Sequence, residues 1–268
     1  MTSTTVSPSL TVAPSLTFQI ASDLHLEKVD EPRPKVEDFI TPSCEILVLA
    51  GDIGSIYKIE QLEYFLKSAC GLFHYVFYVP GNNEYYLPEK GNFKFIPFER
   101  LRAQLRQLEE KISNLVIFDQ TSVRIDDVLF IGCTLWSDLQ ETRFPRFFMK
   151  IPDMTDARYR FLHAADLKYI KEMLSYCAEK KLKSIIVTHH VPSFTPMTEK
   201  QSQFKYKNLY ASNLEALIVE SAPLYWIYGH IHQNSVVEIE KTKLLCNQHG
   251  KPRDHVSNYL KNYTVTLF

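Results

Sequence analysis

The stretch HYVFYVPGNNE, residues 74–84, decides how the rest of the chain is read. Its first half is apolar almost throughout and rich in aromatic and β-branched residues, which suits a strand buried on both faces. Its second half, Gly81-Asn82-Asn83-Glu84, has the composition of a turn but also carries three polar side chains capable of chemistry. Other apolar runs repeat the arrangement. LTFQIASDLHL (16–26) ends in Asp23-Leu24-His25, and EILVLAGDI (45–53) in Gly51-Asp52. SIIVTHHVP (184–192) ends in His189-His190, and LYWIYGHIH (224–232) in Gly229-His230-Ile231-His232.

Helical spacing fills the intervals. Apolar residues three and four apart mark amphipathic helices over Lys58–Cys70, Phe98–Ile112 and Ala164–Lys181. Strands alternating with helices imply βαβ units, parallel pairing and an α/β fold. Val116–Trp136 reads as two strands around Asp126-Asp127, and Val236–Cys246 as two strands around Glu240-Lys241-Thr242. The sheets are therefore expected to be mixed. Ser137–Leu162 and Ser193–Ser212 lack periodicity and read as long loops.

The chain has 268 residues, 45 % hydrophobic, enough for a sizeable core. No linker divides it, so one domain is expected over residues 16–268, after a Ser/Thr/Pro-rich tail over 1–15 that lacks the features of a secretory signal. No apolar run approaches the ~18 residues of a membrane span. Thirty basic residues against 31 acidic ones give no bulk attraction to nucleic acid or an anionic membrane. The five cysteines are scattered and form no C-x-x-C pair, which fits a reducing cytosol rather than a disulfide framework or thiolate zinc site.

In open α/β sheets, ligands bind beyond the carboxyl ends of the strands. Taken singly, each polar strand end has an ordinary explanation: an Asp caps a helix, a Gly-Asn pair turns the chain, a His finds one hydrogen-bond partner. Residues i and i+2 of a strand share a side, which makes Asp23/His25 and His230/His232 candidate converging pairs. Taken together, the runs deliver Asp, His and Asn to one end. Buried without partners these groups are costly, and divalent cations would satisfy them. Two ions sharing a carboxylate account for so many ligands. The N/O set without thiolate suits Mn, Fe or Zn better than Ca. Such a pair leaves positive charge for a phosphate, generates a hydroxide and clamps an in-line displacement.

Asp23-x-His25, Gly51-Asp52, Gly81-Asn82-x-Glu84, His189 and Gly229-His230-x-His232 resemble, in order, the signature of the calcineurin-like metallophosphoesterases. TLWSD (134–138), THHVPS (188–193) and WIYGHIH (226–232) resemble a group of small cytosolic members. The resemblance implies a four-layer αββα sandwich of two mixed sheets flanked by helices. It places Asp23, His25 and His232 on one metal, Asn82, His189 and His230 on the other, and Asp52 between them. His190 then supports the site or faces the substrate. It also implies a small phosphorylated substrate and a cytoplasmic hydrolase with no membrane partner.

One departure bears on catalysis. The family's third block is usually Gly-Asn-His-Asp/Glu, and here Asn83 stands in the His position. That His commonly contacts the phosphate and protonates the leaving oxygen, oriented by the following carboxylate. Asn83 cannot supply a proton, and losing a general acid costs typically ~10²–10⁴ in rate. Glu84 has no imidazole to orient and is free to hold the Asn83 amide instead. His249, in Asn247-Gln248-His249-Gly250 where related sequences read Asn-Pro-Arg-Gly, is a candidate replacement acid. Two other readings stay open: a binding or scaffold protein that has lost turnover, and a nucleic-acid-processing phosphodiesterase. The latter rests on the basic and aromatic segment RFPRFFMKIPDMTDARYR (143–160), which otherwise reads as a loop packed over the site.

Overall fold

The computed structural model describes residues 15–88, 90–143 and 150–267. The expected tail over 1–15 therefore lies, but for its last residue, outside the described residues. Strands β1 (Thr17–Ala21), β2 (Ile46–Ala50), β3 (Tyr75–Val79) and β4 (Leu115–Ile117) run parallel, and β11 (Thr264–Thr266) joins β1 antiparallel. They form one sheet in the order β11-β1-β2-β3-β4. The second sheet runs β5-β6-β7-β8-β10-β9, built from β5 (Thr121–Ile125), β6 (Val128–Cys133), β7 (Lys183–Thr188), β8 (Tyr225–Ile227), β9 (Val236–Ile239) and β10 (Thr242–Leu245). Within it β6, β7, β8 and β10 are parallel and the two edge strands antiparallel.

Period-two alternation explains why both faces of these strands are apolar. In β2, Leu47 and Leu49 face helices α1 (Ile59–Leu72) and α2 (Phe98–Lys111), while Ile46, Val48 and Ala50 face the other sheet. In β6, Leu129, Ile131 and Cys133 face α3 (Asp156–Lys180), while Val128 and Phe130 point inward. Phe18, Phe77, Phe118 and Phe130 interlock between the sheets, Phe77 and Phe118 stacked at 5.0 Å. The result is helices, sheet, sheet, helices. Two short helices, α4 (Glu199–Ser202) and α5 (Glu215–Ser221), complete the described set. Among the described residues no helix is long and apolar enough to cross a membrane.

Three local expectations change. Helix α3 starts at Asp156 rather than Ala164, so the loop expected over Ser137–Leu162 is shorter. Thr155 caps it by accepting from Arg158 N, and its early buried face is Tyr159, Leu162, His163 and Asp166. Two polar residues on that stripe hide it from a purely hydrophobic pattern. Val116–Trp136 contains three strands: β4 ends the first sheet, and the chain crosses at Phe118–Gln120 before the β5–β6 hairpin turns at Asp126. The half-buried edge strand β11 has too short an apolar pattern to be seen in sequence.

The parallel strands point their carboxyl ends to one edge. Beyond them Ser22 pairs with Gln248 across the two sheets, Ser22 N donating to Asn247 O and His249 N to Ser22 O. This stitch brings the ends of β1 and β10 together where the polar residues emerge.

Candidate metal centre

The structure gathers the seven residues expected as metal ligands. Asp23 and His25 follow β1, Asp52 follows β2, Asn82 follows β3, His189 follows β7, and His230 and His232 follow β8. Convergence does not come from strand alternation, because β1 ends at Ala21 and β8 at Ile227. Asp23, His25, Asp52, His230 and His232 all have left-handed backbones, with φ of 55°, 51°, 55°, 77° and 52°. Each costs of order 1–2 kcal/mol for a residue with a side chain, and such strain gathers at functional sites. These turns swing consecutive side chains apart, so His230 meets His189 and His232 meets His25.

Two groups result. Asp23, His25, Asp52 and His232 each offer an atom within 4.8 Å of the others, and Asp52, His189 and His230 do the same. Asp52 belongs to both. His232 Nε2 lies 3.2 Å from Asp23 Oδ1, and His189 Nε2 lies 3.3 Å from Asp52 Oδ1. Asn82 adds its Oδ1 at 3.0 Å from His189 Nε2, its amide nitrogen donating to the Tyr86 hydroxyl at 3.0 Å.

The outward imidazole nitrogens each face an oxygen. His25 Nδ1 faces Glu27 Oε1 at 3.1 Å, and His232 Nδ1 faces Asp254 Oδ2 at 2.5 Å. His189 Nδ1 faces Ala50 O at 2.9 Å, and His230 Nε2 faces Leu209 O at 3.1 Å. Carboxylate and carbonyl oxygens only accept, so these nitrogens carry the protons. In the neutral rings that coordination requires, the inward nitrogens are lone pairs; without an ion, burial is outweighed by the Asp23 carboxylate, which favours a second proton on His232. His25 Nε2 and His232 Nε2 stand 3.0 Å apart, and His189 Nε2 and His230 Nδ1 stand 3.2 Å apart. Facing lone pairs repel, and a cation between them removes the conflict. Outer partners of this kind orient metal-binding imidazoles. Burial, then His189, pushes the His230 pKa down to about 3, which keeps it neutral and ready to coordinate. Burial alone would raise the Asp52 carboxyl. The His189, His25 and His230 imidazoles outweigh it and hold Asp52 well below the usual carboxylate range. The donor set therefore fits divalent metal.

Glu27 lies two residues from His25 and could have been suspected from sequence. Asp254, 22 residues beyond His232, Tyr86 and the Leu209 carbonyl left no local signal.

The other expected residues are placed as follows. Asn83 turns onto Asp52, its backbone N donating to Oδ1 at 2.8 Å and its amide to Oδ2 at 2.5 Å. Glu84 does not hold that amide, contrary to expectation. Fully buried, it accepts from Asp52 N, Ile53 N, Gly81 N and the Tyr78 hydroxyl at 2.6–3.1 Å. Burial and the nearby Asp52 push its carboxyl up, and its donors pull the other way. His190 is buried, its Nδ1 facing Thr134 O at 3.4 Å and its ring 4.2 Å from that of His230, with no partner for Nε2 among the described residues. The His249 ring packs against Phe39 and Tyr259, with Nδ1 facing Gly250 O. In segment 143–160, Arg158 pairs with Asp153, Arg160 donates to Thr142 O, and Tyr159 is buried against Trp136. Residues 144–149 of it lie outside the described residues.

Gly81 is required by close approach. A Cβ there would stand 2.2 Å from Asp52 Oδ1 and 2.6 Å from Asp52 N. Gly81→Ala must displace Asp52, and a misplacement of that order costs about 10²-fold in rate. Gly71→Ala, whose Cβ would meet nothing within 4 Å, is the matched control and should be silent. Manganese retention and ester hydrolysis measured on both variants check this; equal behaviour would contradict it.

A sandwich whose two sheets carry an Asp/His cluster capable of holding divalent metal at their joined carboxyl ends defines a metallophosphoesterase, a hydrolase of phosphate ester bonds. The sequence profile of the calcineurin-like phosphoesterases matches residues 16–234, and the chain belongs to that family. It is 26% identical over 262 residues to the uncharacterized protein L509 of Acanthamoeba polyphaga mimivirus, covering 87% of this chain and 90% of that one. In fold it is similar to the phosphopantetheinyl hydrolase PptH of Mycobacterium tuberculosis. The TM-score is 0.71 at 14% identity, over 96% of this chain and 97% of that one.

Proposed function

We propose that the chain is a dinuclear metal-dependent phosphoesterase acting on monoesters or diesters of small molecules. Asp23, His25 and His232 hold one ion, Asn82, His189 and His230 the other, and Asp52 both. The observation that carries this reading is the set of four inward imidazole nitrogens whose outer nitrogens are each fixed by an acceptor. Mn, Fe or Zn fits these N and O donors. Bound there, such ions supply positive charge to the phosphoryl oxygens and lower the pKa of a water that attacks phosphorus.

Asn83 shapes the substrate range. Its amide is tied to Asp52 and has no proton to give the leaving oxygen. Leaving groups that depart without protonation, such as phenols and phosphates, are therefore favoured over alkyl alcohols. Asn83→His should speed hydrolysis of alkyl esters by roughly 10²-fold or more and of aryl esters far less. Steady-state rates on a series of leaving groups check this. Equal acceleration across the series would show that position 83 is not where an acid belongs.

Metal analysis with hydrolysis of aryl phosphate mono- and diesters in added Mn²⁺ tests the whole reading. Absence of both metal and turnover would sink it. Stoichiometric metal without turnover would favour the competing reading, a binding protein on the same fold, for which Asn83 is the supporting residue.

A further inference from the structure

With Asn83 committed to Asp52, the phosphoryl group needs hydrogen-bond donors from elsewhere. Two phenols flank the Asn82–His230 half of the cluster. The Tyr86 oxygen accepts from Asn82 Nδ2 at 3.0 Å, and its own proton finds no acceptor among the described residues. Tyr210 follows Leu209, whose carbonyl holds His230 Nε2 at 3.1 Å, so its backbone is anchored to the cluster. Its ring stands 5.7 Å from that of His230, and its hydroxyl has no partner among the described residues. Both residues therefore border the same half of the cluster, Tyr86 through Asn82 and Tyr210 through His230. A phenol keeps its proton at neutral pH, so both are O–H donors.

We infer that the Tyr86 and Tyr210 hydroxyls donate hydrogen bonds to the phosphoryl oxygens of the substrate on the Asn82–His230 side, in the place of a donor at position 83. This rests on the metal-dependent hydrolysis proposed above. No proton is transferred: each phenol keeps its hydrogen and the leaving oxygen departs as an anion. Tyr210 is the cleaner member of the pair, because Tyr86 also supports Asn82.

The test compares wild type with Tyr210→Phe and Tyr86→Phe, all loaded with Mn²⁺, using inorganic phosphate as the binding probe. Tyr210→Phe is expected to weaken phosphate binding about tenfold by calorimetry and to lower kcat/KM by about 10- to 100-fold, as loss of one donor to a charged oxygen does. Its manganese content and melting temperature should match wild type, which a purely structural role would not allow. Tyr86→Phe should weaken phosphate and, through Asn82, manganese as well. Phosphate affinity unchanged to within about twofold in Tyr210→Phe, with wild type active, overturns this inference alone. A fall in phosphate affinity that only keeps pace with lost manganese overturns it too. A wild-type protein that holds no manganese and hydrolyses nothing overturns the function on which it rests, and the inference with it.

Discussion

Asp52→Asn should abolish two-metal binding and lower phosphoester hydrolysis by at least about 10³-fold, while circular dichroism stays that of the wild type. Asp52 is common to both ligand groups and only 1 % exposed. One oxygen lies 3.3 Å from His189 Nε2 and the other 3.8 Å from His25 Nε2. Both also accept from Asn83. An amide in that place removes one negative charge and one acceptor. Its NH₂ must face either the Asn83 donors or the cation. Loss of partners that merely orient ligands costs 10–100-fold, so loss of a shared ligand should exceed that. Manganese titration followed by aryl phosphate hydrolysis measures both effects. Two retained equivalents with a rate within about tenfold of wild type would refute the bridging role.

Glu84→Ala should damage the fold itself. The buried carboxylate ties the turn after β2 to the turn after β3 through Asp52 N, Ile53 N and Gly81 N, and it also accepts from the Tyr78 hydroxyl. Removing it leaves three backbone donors and a phenol without an acceptor, each worth about 1–3 kcal/mol if no water replaces it. With partial replacement, a net loss of about 4 kcal/mol is expected, a fall of roughly 10 °C in melting temperature for a chain of this size. The metal-free protein should show the loss, which separates it from a ligand effect. Glu84→Gln keeps the shape but presents an NH₂ to donors, so it should also destabilise. A midpoint within about 2 °C of wild type would mean that the two turns hold each other without Glu84.

Much of this site was legible because its residues stand just beyond buried strands. The runs around β1, β2, β3, β7 and β8 are apolar enough to be seen, and Asp23, Asp52, Asn82, His189 and His230 follow each within three residues. The start of α3 was not legible, since His163 and Asp166 interrupt its apolar stripe. Nor was the role of Glu84, because its partners Asp52 and Ile53 lie more than 30 residues away. Asp254, Tyr86 and Tyr210 belong to loops whose composition says nothing about where they fold back.

By itself, then, the sequence determined which side chains leave the interior and where. An apolar run buried on both faces ends where its first polar residues emerge, and that is a local property. The tertiary structure alone decided which of them meet. Sheet order sets Asp23, Asp52 and Asn82 side by side, and the Ser22–Gln248 bridge with the His230 N to Asp23 carboxylate bond brings the second sheet against them. The left-handed turns then send His230 and His232 to opposite halves of the cluster. Those contacts join residues up to 207 positions apart, and no local pattern encodes them.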